Sequence, residues 1–317
     1  MTVHGTAPVV AYIDGTDEAK CAADYAAWEA SRRRAGLRVV YARGPTPYWG
    51  PAIPLLDEYF WEREWVRTLL AKTTAEMQDA HPDLAIEAAA VRGRPAGVLV
   101  DESKRATLVV VGTRAASGLG GHRSASVAVQ VAAHASCPVV AVPEIPGRRC
   151  DASTFADRPV MVGIDGSEHS QAAVTYAARE AIDRGVELRA VLVWSVFDID
   201  DPREFSASEP SEGAEQQRSD RVLSEAFVGW QDQFPDLPLT RTAIHDIDPV
   251  SVLVDLSAEA GLVVVGSRGA GGFFGLPIGS TVDGLIRNAH APVAVVHPGD
   301  VHAIGLYSGA GLHGVPE

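Results

Sequence analysis

VVAYIDGT at residues 9–16 returns as VMVGIDGS at residues 160–167, which puts Asp165 151 positions after Asp14. In each copy a short apolar run stops at Asp-Gly followed by a hydroxyl residue. Four further blocks recur in the same order. Pro82-Asp83-Leu84 returns as Pro235-Asp236-Leu237, at an offset of 153. Val98-Leu99-Val100-Asp101 returns as Val252-Leu253-Val254-Asp255, and Val109-Val110-Val111-Gly112 as Val263-Val264-Val265-Gly266, both at 154. Cys137-Pro138-Val139 and Ala291-Pro292-Val293 close the series, again at 154. Five ordered blocks that drift by three residues mean a duplicated domain, not a short solenoid repeat. The repeat sets a first domain at 1–148, a second at 156–300, and a C-terminal tail at 301–317. The stretch from Pro143 to Pro159 has Pro, Gly, Ser and charges but no apolar period, so it reads as a linker.

The second copy is the easier to follow. Its first apolar run, Val160 to Asp165, precedes a helix over Ser170 to Arg184, in which Ala173, Tyr176, Ala177 and Ala181 share a face. Gly185 stops that helix. Leu188 to Val196 is a second strand, Glu215 to Phe234 a helix, and Leu239 to Ile244 a third strand. A helix over Val250 to Ala260 leads to the fourth strand, Leu262 to Gly266. Ser280 to Ala289 is helical, with Val282, Leu285, Ile286 and Ala289 on one side, and Pro292 to Val296 is the fifth strand. Continuous Val/Ile/Leu strands alternating with helices imply a parallel sheet covered on both faces. The expected fold class is α/β, with two tandem Rossmann-like domains. Such sheets bind ligands at the carboxyl ends of strands, where strand order reverses. Attention therefore falls on Asp165 and Gly266.

After the fourth strand comes Gly266-Ser-Arg268-Gly269, nine residues, then Gly279-Ser280. Glycine permits positive φ and close approach by a ligand. A helix start adds free N–H groups and a positive dipole end, so the loop can cradle phosphates. The physics alone equally allows a plain Gly-rich loop before a capped helix, with Ser280 either on a phosphate or at the N-cap. Asp165 is likewise a ligand contact or a turn residue, and Arg268, the sole cation between Gly266 and Ser280, is a phosphate contact or a solvated charge. Phe273 and Phe274 read as a lid or a dimer contact. There is no Walker lysine and no GxGxxG after the first strand.

The spacing G-2x-G-9x-G-S, together with the strand ending in Asp-Gly-Ser/Thr, the VLVD helix, the VVVG strand and the final PVxVV strand, resembles the ATP-binding type of the universal stress protein family. The resemblance covers both halves. It implies adenine nucleotide alpha hydrolase-like domains, each with a five-stranded sheet, that bind ATP, with or without Mg2+, and pair into dimers. It places Asp165 near the ribose or phosphates, Val193 near adenine, and Gly266, Arg268, Gly269, Gly279 and Ser280 around the triphosphate. It also implies that the halves pack as an intrachain pseudo-dimer and that the chain forms a homodimer. The implied task is an ATP-binding stress or regulatory protein, not an enzyme. A slow ATPase or adenylyl-transfer enzyme is one alternative, and a dimerisation module with a vestigial pocket is the other.

The first copy departs from the pattern. Its loop reads Gly112-Thr-Arg114-Ala115, nine residues, Ala125-Ser126, so two glycines are alanines. An alanine forced to positive φ costs about 1–2 kcal/mol. A weaker second site is expected at Asp14, Val40, Gly112, Arg114 and Ser126.

A net charge of −14 on 317 residues argues against a nucleic-acid partner, which needs a matching cationic surface. No apolar run is long enough for a bilayer, and no signal peptide opens the chain, so the expected location is cytoplasmic. Cys21, Cys137 and Cys150 lack metal-ligand spacing and fit a reducing compartment. The ten histidines show no HxxxH spacing, so no metal site is expected.

Overall fold

The structure is a computed structural model and describes residues 7–44, 54–113, 122–144, 151–195, 212–230, 234–269 and 278–303. The first unit runs β1 (Val9–Tyr12), α1 (Asp17–Arg33), β2 (Leu37–Arg43), α2 (Pro54–Ala80), β3 (Ile86–Arg92), α3 (Pro95–Ser103), β4 (Leu108–Thr113), α4 (His122–His134) and β5 (Val139–Pro143). The second repeats it with β6 (Val160–Gly163), α5 (Glu168–Arg184), β7 (Leu188–Trp194), α6 (Glu212–Glu225), β8 (Leu239–His245), α7 (Pro249–Ser257), β9 (Leu262–Gly266), α8 (Ser280–Asn288) and β10 (Val293–Val296).

All ten strands form one sheet in the order β3-β2-β1-β4-β5-β10-β9-β6-β7-β8. Pairing is parallel inside each unit. It turns antiparallel once, where β10 meets β5 with Ala294 opposite Val140. The two units are thus related by a pseudo-two-fold axis, and the pseudo-dimer is a continuous sheet. Within each unit strand order reverses beside the first strand, which opens a crevice between β1 and β4, and another between β6 and β9. The apolar runs follow from position: every residue of β9 is buried, whereas the edge strands β3 and β8 have no fully buried residue.

Helices α1 and α5 meet across the axis through charge as well as apolar surface. Tyr25, Glu29 and Arg33 on α1 match Tyr176, Glu180 and Arg184 on α5, all 151 residues on. Arg184 Nη2 donates to Tyr25 Oη at 3.0 Å and to Glu29 Oε1 at 2.7 Å. Arg33 Nη2 reciprocates to Tyr176 Oη at 3.0 Å and to Glu180 Oε1. Each arginine also holds its own helix's glutamate through Nε. Arg32 has no counterpart, since Asp183 stands at its repeat position; it joins both carboxylates and leaves the cluster at net +1. The Arg184 guanidinium lies 5.0 Å over the Trp28 ring, the kind of packing in which a desolvated cation is favoured.

Several element ends differ from the periodicity reading. Helix α5 starts at Glu168, not Ser170, because Ser167 is its N-cap and takes the Ser170 N–H at 3.1 Å. Helix α6 ends at Glu225, not Phe234, and Gly229 beyond it takes φ +77°. A 3-10 turn over Ala152–Phe155 buries Phe155 in the linker. A last helix, α9 (Pro298–Ala303), crosses the expected start of the tail and buries Asp300. Cys21 is disulfide-bonded, against the expectation of thiols only, while Cys137 is free and buried.

Candidate functional site

The second unit's crevice is built from two strand ends. Beyond β6 the chain turns at Asp165, whose Oδ1 accepts the Ser167 N–H at 2.9 Å. Gly166 holds φ +80° in that turn, a region that favours glycine, and so delivers Ser167 to cap α5. The turn role and an exposed carboxylate at the strand end coexist in one residue. From β9 the loop returns over this carboxylate. A Cβ on Gly269 would lie 2.7 Å from Asp165 Oδ2, so any larger residue there would push the carboxylate aside. A Cβ on Gly266 would meet the backbone of His169 at 2.6 Å, which seats β9 directly under α5. The far end of the loop closes back through Gly279 N–H to Ser267 O at 3.0 Å.

None of these three glycines is in the left-handed region, so positive φ is not why they are glycine. Close packing explains Gly266 and Gly269. At Gly279 a Cβ would make only ordinary van der Waals contact, its nearest neighbour being the Gly269 backbone nitrogen at 3.6 Å. Gly279, not Ser280, is the N-cap of α8; Ser280 is the first helical residue. The cap provides no side-chain acceptor, so the first-turn N–H groups of α8 open toward the loop. Arg268 is exposed beside them, with no ion-pair partner among the described residues. Phe273 and Phe274 lie outside the described residues.

Val193 is placed by register. Ile164 N–H donates to Val191 O at 2.9 Å, and β6 is last paired to β7 at Gly163 opposite Val191. In a parallel strand, backbone groups two residues apart face the same side. The Val193 N–H and C=O therefore point past the end of β6, into the crevice.

The same register corrects the first unit. Leu37 and Leu188 begin matching strands, so the counterpart of Val193 is Ala42, and Val40 matches Val191. Val40 is fully buried and its carbonyl is taken by Ile13 N–H at 3.0 Å, so it does not face a ligand. Ser126 is also displaced from its expected role. Helix α4 starts at His122, whereas α8 starts at Ser280, the counterpart of Ser126. One extra turn puts the Ser126 N–H inside the helix ladder, out of reach of an anion. Asp14 and Gly112 do match their second-unit partners: Asp14 Oδ1 takes the Thr16 hydroxyl at 2.7 Å, and a Cβ on Gly112 would meet Glu18 O at 2.7 Å. Arg114 lies outside the described residues. One contact had no sequence signal. The Trp65 indole lies against the Asp14-Gly15 turn, 2.9 Å from where a Cβ on Gly15 would be, in edge contact with Tyr41.

The reading of residues also missed a hydrogen-bonded chain beside the second loop. His169 Nδ1 and His297 Nδ1 each lie 3.0 Å from Ser267 Oγ, and Ser267 is fully buried. His297 Nε2 is 2.8 Å from Ala132 O, in α4 of the first unit. The three residues are far apart in sequence and share no motif spacing. Burial lowers the His169 pKa below its ordinary value, and His297 and Arg268 lower it further.

The model of the universal stress protein family matches residues 6–143 and 158–297, one match per unit. The chain belongs to the universal stress protein family. Its similarity extends over nearly its whole length to universal stress proteins of Mycobacterium tuberculosis (strain ATCC 25618 / H37Rv), 33% identical over 92% of this chain and 96% of the relative. A counterpart from Mycolicibacterium smegmatis is 32% identical over 90% of this chain and 95% of the relative. The crystal structure of a universal stress protein from Archaeoglobus fulgidus DSM 4304 superposes with a TM-score of 0.64 at 19% identity, covering 92% of this chain and 96% of that one. That likeness bears on the fold alone, and it agrees with two tandem Rossmann-like units. Among the described residues, no helix of this universal stress protein is long and apolar enough to cross a membrane.

Proposed function

We propose that the second unit binds one adenine nucleotide, ATP with or without Mg2+, between the ends of β6 and β9. The observation that carries this reading is the pressing of the Gly269 backbone onto Asp165. It brings a carboxylate suited to sugar hydroxyls beside a loop that ends in the open N-terminus of α8. Val193 offers backbone groups to the base, and Arg268 with the α8 N–H groups neutralises phosphate charge. In this reading the first unit binds weakly or not at all, since Trp65 crowds its turn and α4 is a turn too long. The chain acts as a cytoplasmic, nucleotide-dependent regulatory protein of the stress response and not as an enzyme. Its fifth strands already pair internally, so a homodimer uses another surface.

Calorimetry with ATP tests the site: one nucleotide per chain, lost in Gly279→Val while the fold is kept, is the expected result. Two equal sites, or none, would overturn it. Phosphate release measured beside an Asp165→Ala control tests the absence of turnover.

A further inference from the structure

The His169–Ser267–His297 chain has a direction that hydrogen-bond chemistry fixes. A backbone carbonyl only accepts, so His297 Nε2 carries a proton that it donates to Ala132 O. That carbonyl lies in the last turn of α4, among those without an intrahelical donor, so His297 caps a helix of the other unit. With His297 neutral, its Nδ1 is an acceptor and takes the Ser267 hydroxyl proton. Ser267 Oγ then accepts from His169 Nδ1–H. This leaves a lone pair on His169 Nε2, which bonds to no described residue.

Adding one proton has the same outcome wherever it settles. If His169 takes it, Nε2 becomes N–H directly. If His297 takes it, His297 Nδ1–H donates to Ser267, the hydroxyl turns to donate to His169 Nδ1, and the His169 proton resides on Nε2. In both arrangements no bond in the chain is lost, and His169 Nε2 changes from acceptor to donor.

His169 stands in the first turn of α5, against Gly266, with Asp165, Glu168 and Arg268 as the charges around it. Asp300 of α9, which accepts the His297 backbone N–H at 2.8 Å, is the carboxylate on the far side. We propose that this chain is a proton-linked contact of the nucleotide site: uptake of one proton turns His169 Nε2 into a donor to the phosphates. It rests on the nucleotide reading of the second unit.

The test is ATP calorimetry from pH 8.5 to 5.5 in buffers of different ionisation enthalpy, on the full chain and on His169→Gln and Ser267→Ala, each checked for fold by circular dichroism. Glutamine cannot titrate, and it provides the control for the proton that ATP itself carries. The full chain should take up more protons than His169→Gln on binding, with affinity rising by up to about tenfold for each unit that the pH falls. Ser267→Ala should shift the midpoint by severing the shared proton. Equal proton uptake and equal pH profiles in all three, with binding intact, would overturn this proposal alone. No ATP binding by the full chain at any pH would overturn the nucleotide reading and this proposal with it.

Discussion

Glu29→Gln is the most exacting test of how the two units are held. The Glu29 side chain is 1% exposed and accepts hydrogen bonds from Arg32, Arg33 and Arg184. Burial would raise its pKa, but Arg33, Arg184 and Arg32 outweigh it and hold the carboxyl at about 2, against an ordinary 4.5. A depression of that size corresponds to about 3 kcal/mol of folding stability. The folded pKa lies below the unfolded one, so the contribution is complete above about pH 4.5 and is lost as pH falls toward 2. Glutamine keeps the shape and removes the charge, which takes the cluster from +1 to +2. The expected loss at pH 7 is about 3 kcal/mol, in line with breaking a buried ion pair and large beside a total of about 5–15. Urea unfolding followed by circular dichroism and tryptophan emission reads it, Trp28 lying on the cluster. The gap between the two proteins should close as pH approaches 2. A difference below about 1 kcal/mol at pH 7, or one that persists at pH 2, would refute the reasoning. Arg32→Ala brings the cluster to neutrality instead and should cost less than Glu29→Gln, because both carboxylates keep Arg33 and Arg184.

Gly269→Ala should weaken ATP binding at least tenfold, about 1.4 kcal/mol, without unfolding the chain, because the new methyl displaces the Asp165 carboxylate; calorimetry beside a thermal melt checks it. Gly185 ends α5 at φ +68°, whereas Arg34 does the same for α1 at φ +52°, so Gly185→Ala should destabilise by about 1 kcal/mol and Arg34→Gly should not. Burial, Lys20 notwithstanding, raises the Asp24 carboxyl to about 6, so its stabilising balance is lost as pH rises through 6, and Asp24→Asn should gain about 1–3 kcal/mol at pH 8 in a denaturant titration. Burial pushes the Cys137 thiol up to about 12, so a thiol reagent at pH 8 should label it only after unfolding.

The placement of the candidate site's residues was legible from spacing, because Asp165, Gly266, Gly269 and Gly279 are tied to strand ends and a helix start that apolar runs locate to within a residue or two. Val193 followed from the family pattern, and its partner Val40 did not, since a two-residue slip keeps a side chain on the same face and leaves the apolar pattern unchanged. Ser126 failed for a related reason: nothing in a local stretch sets whether a helix begins one turn early. The Tyr-Glu-Arg cluster was written in both copies at one offset, yet charged residues on a helix look like solvated ones until a partner helix supplies the opposite charge.

By itself the sequence determined the duplication, the α/β class, and a G-2x-G-9x-G-S spacing intact in one copy only. Local chemistry suffices for these, since apolar periodicity and glycine spacing act within a few residues of chain. Tertiary structure alone decided the antiparallel seam between β5 and β10, the ion cluster at the axis, the contact of Trp65 on the Gly15 turn and the His169–Ser267–His297 chain. Each of these joins residues distant in sequence, and the energies that select them, burial of charge and direction of hydrogen bonds, exist only once both partners are brought together.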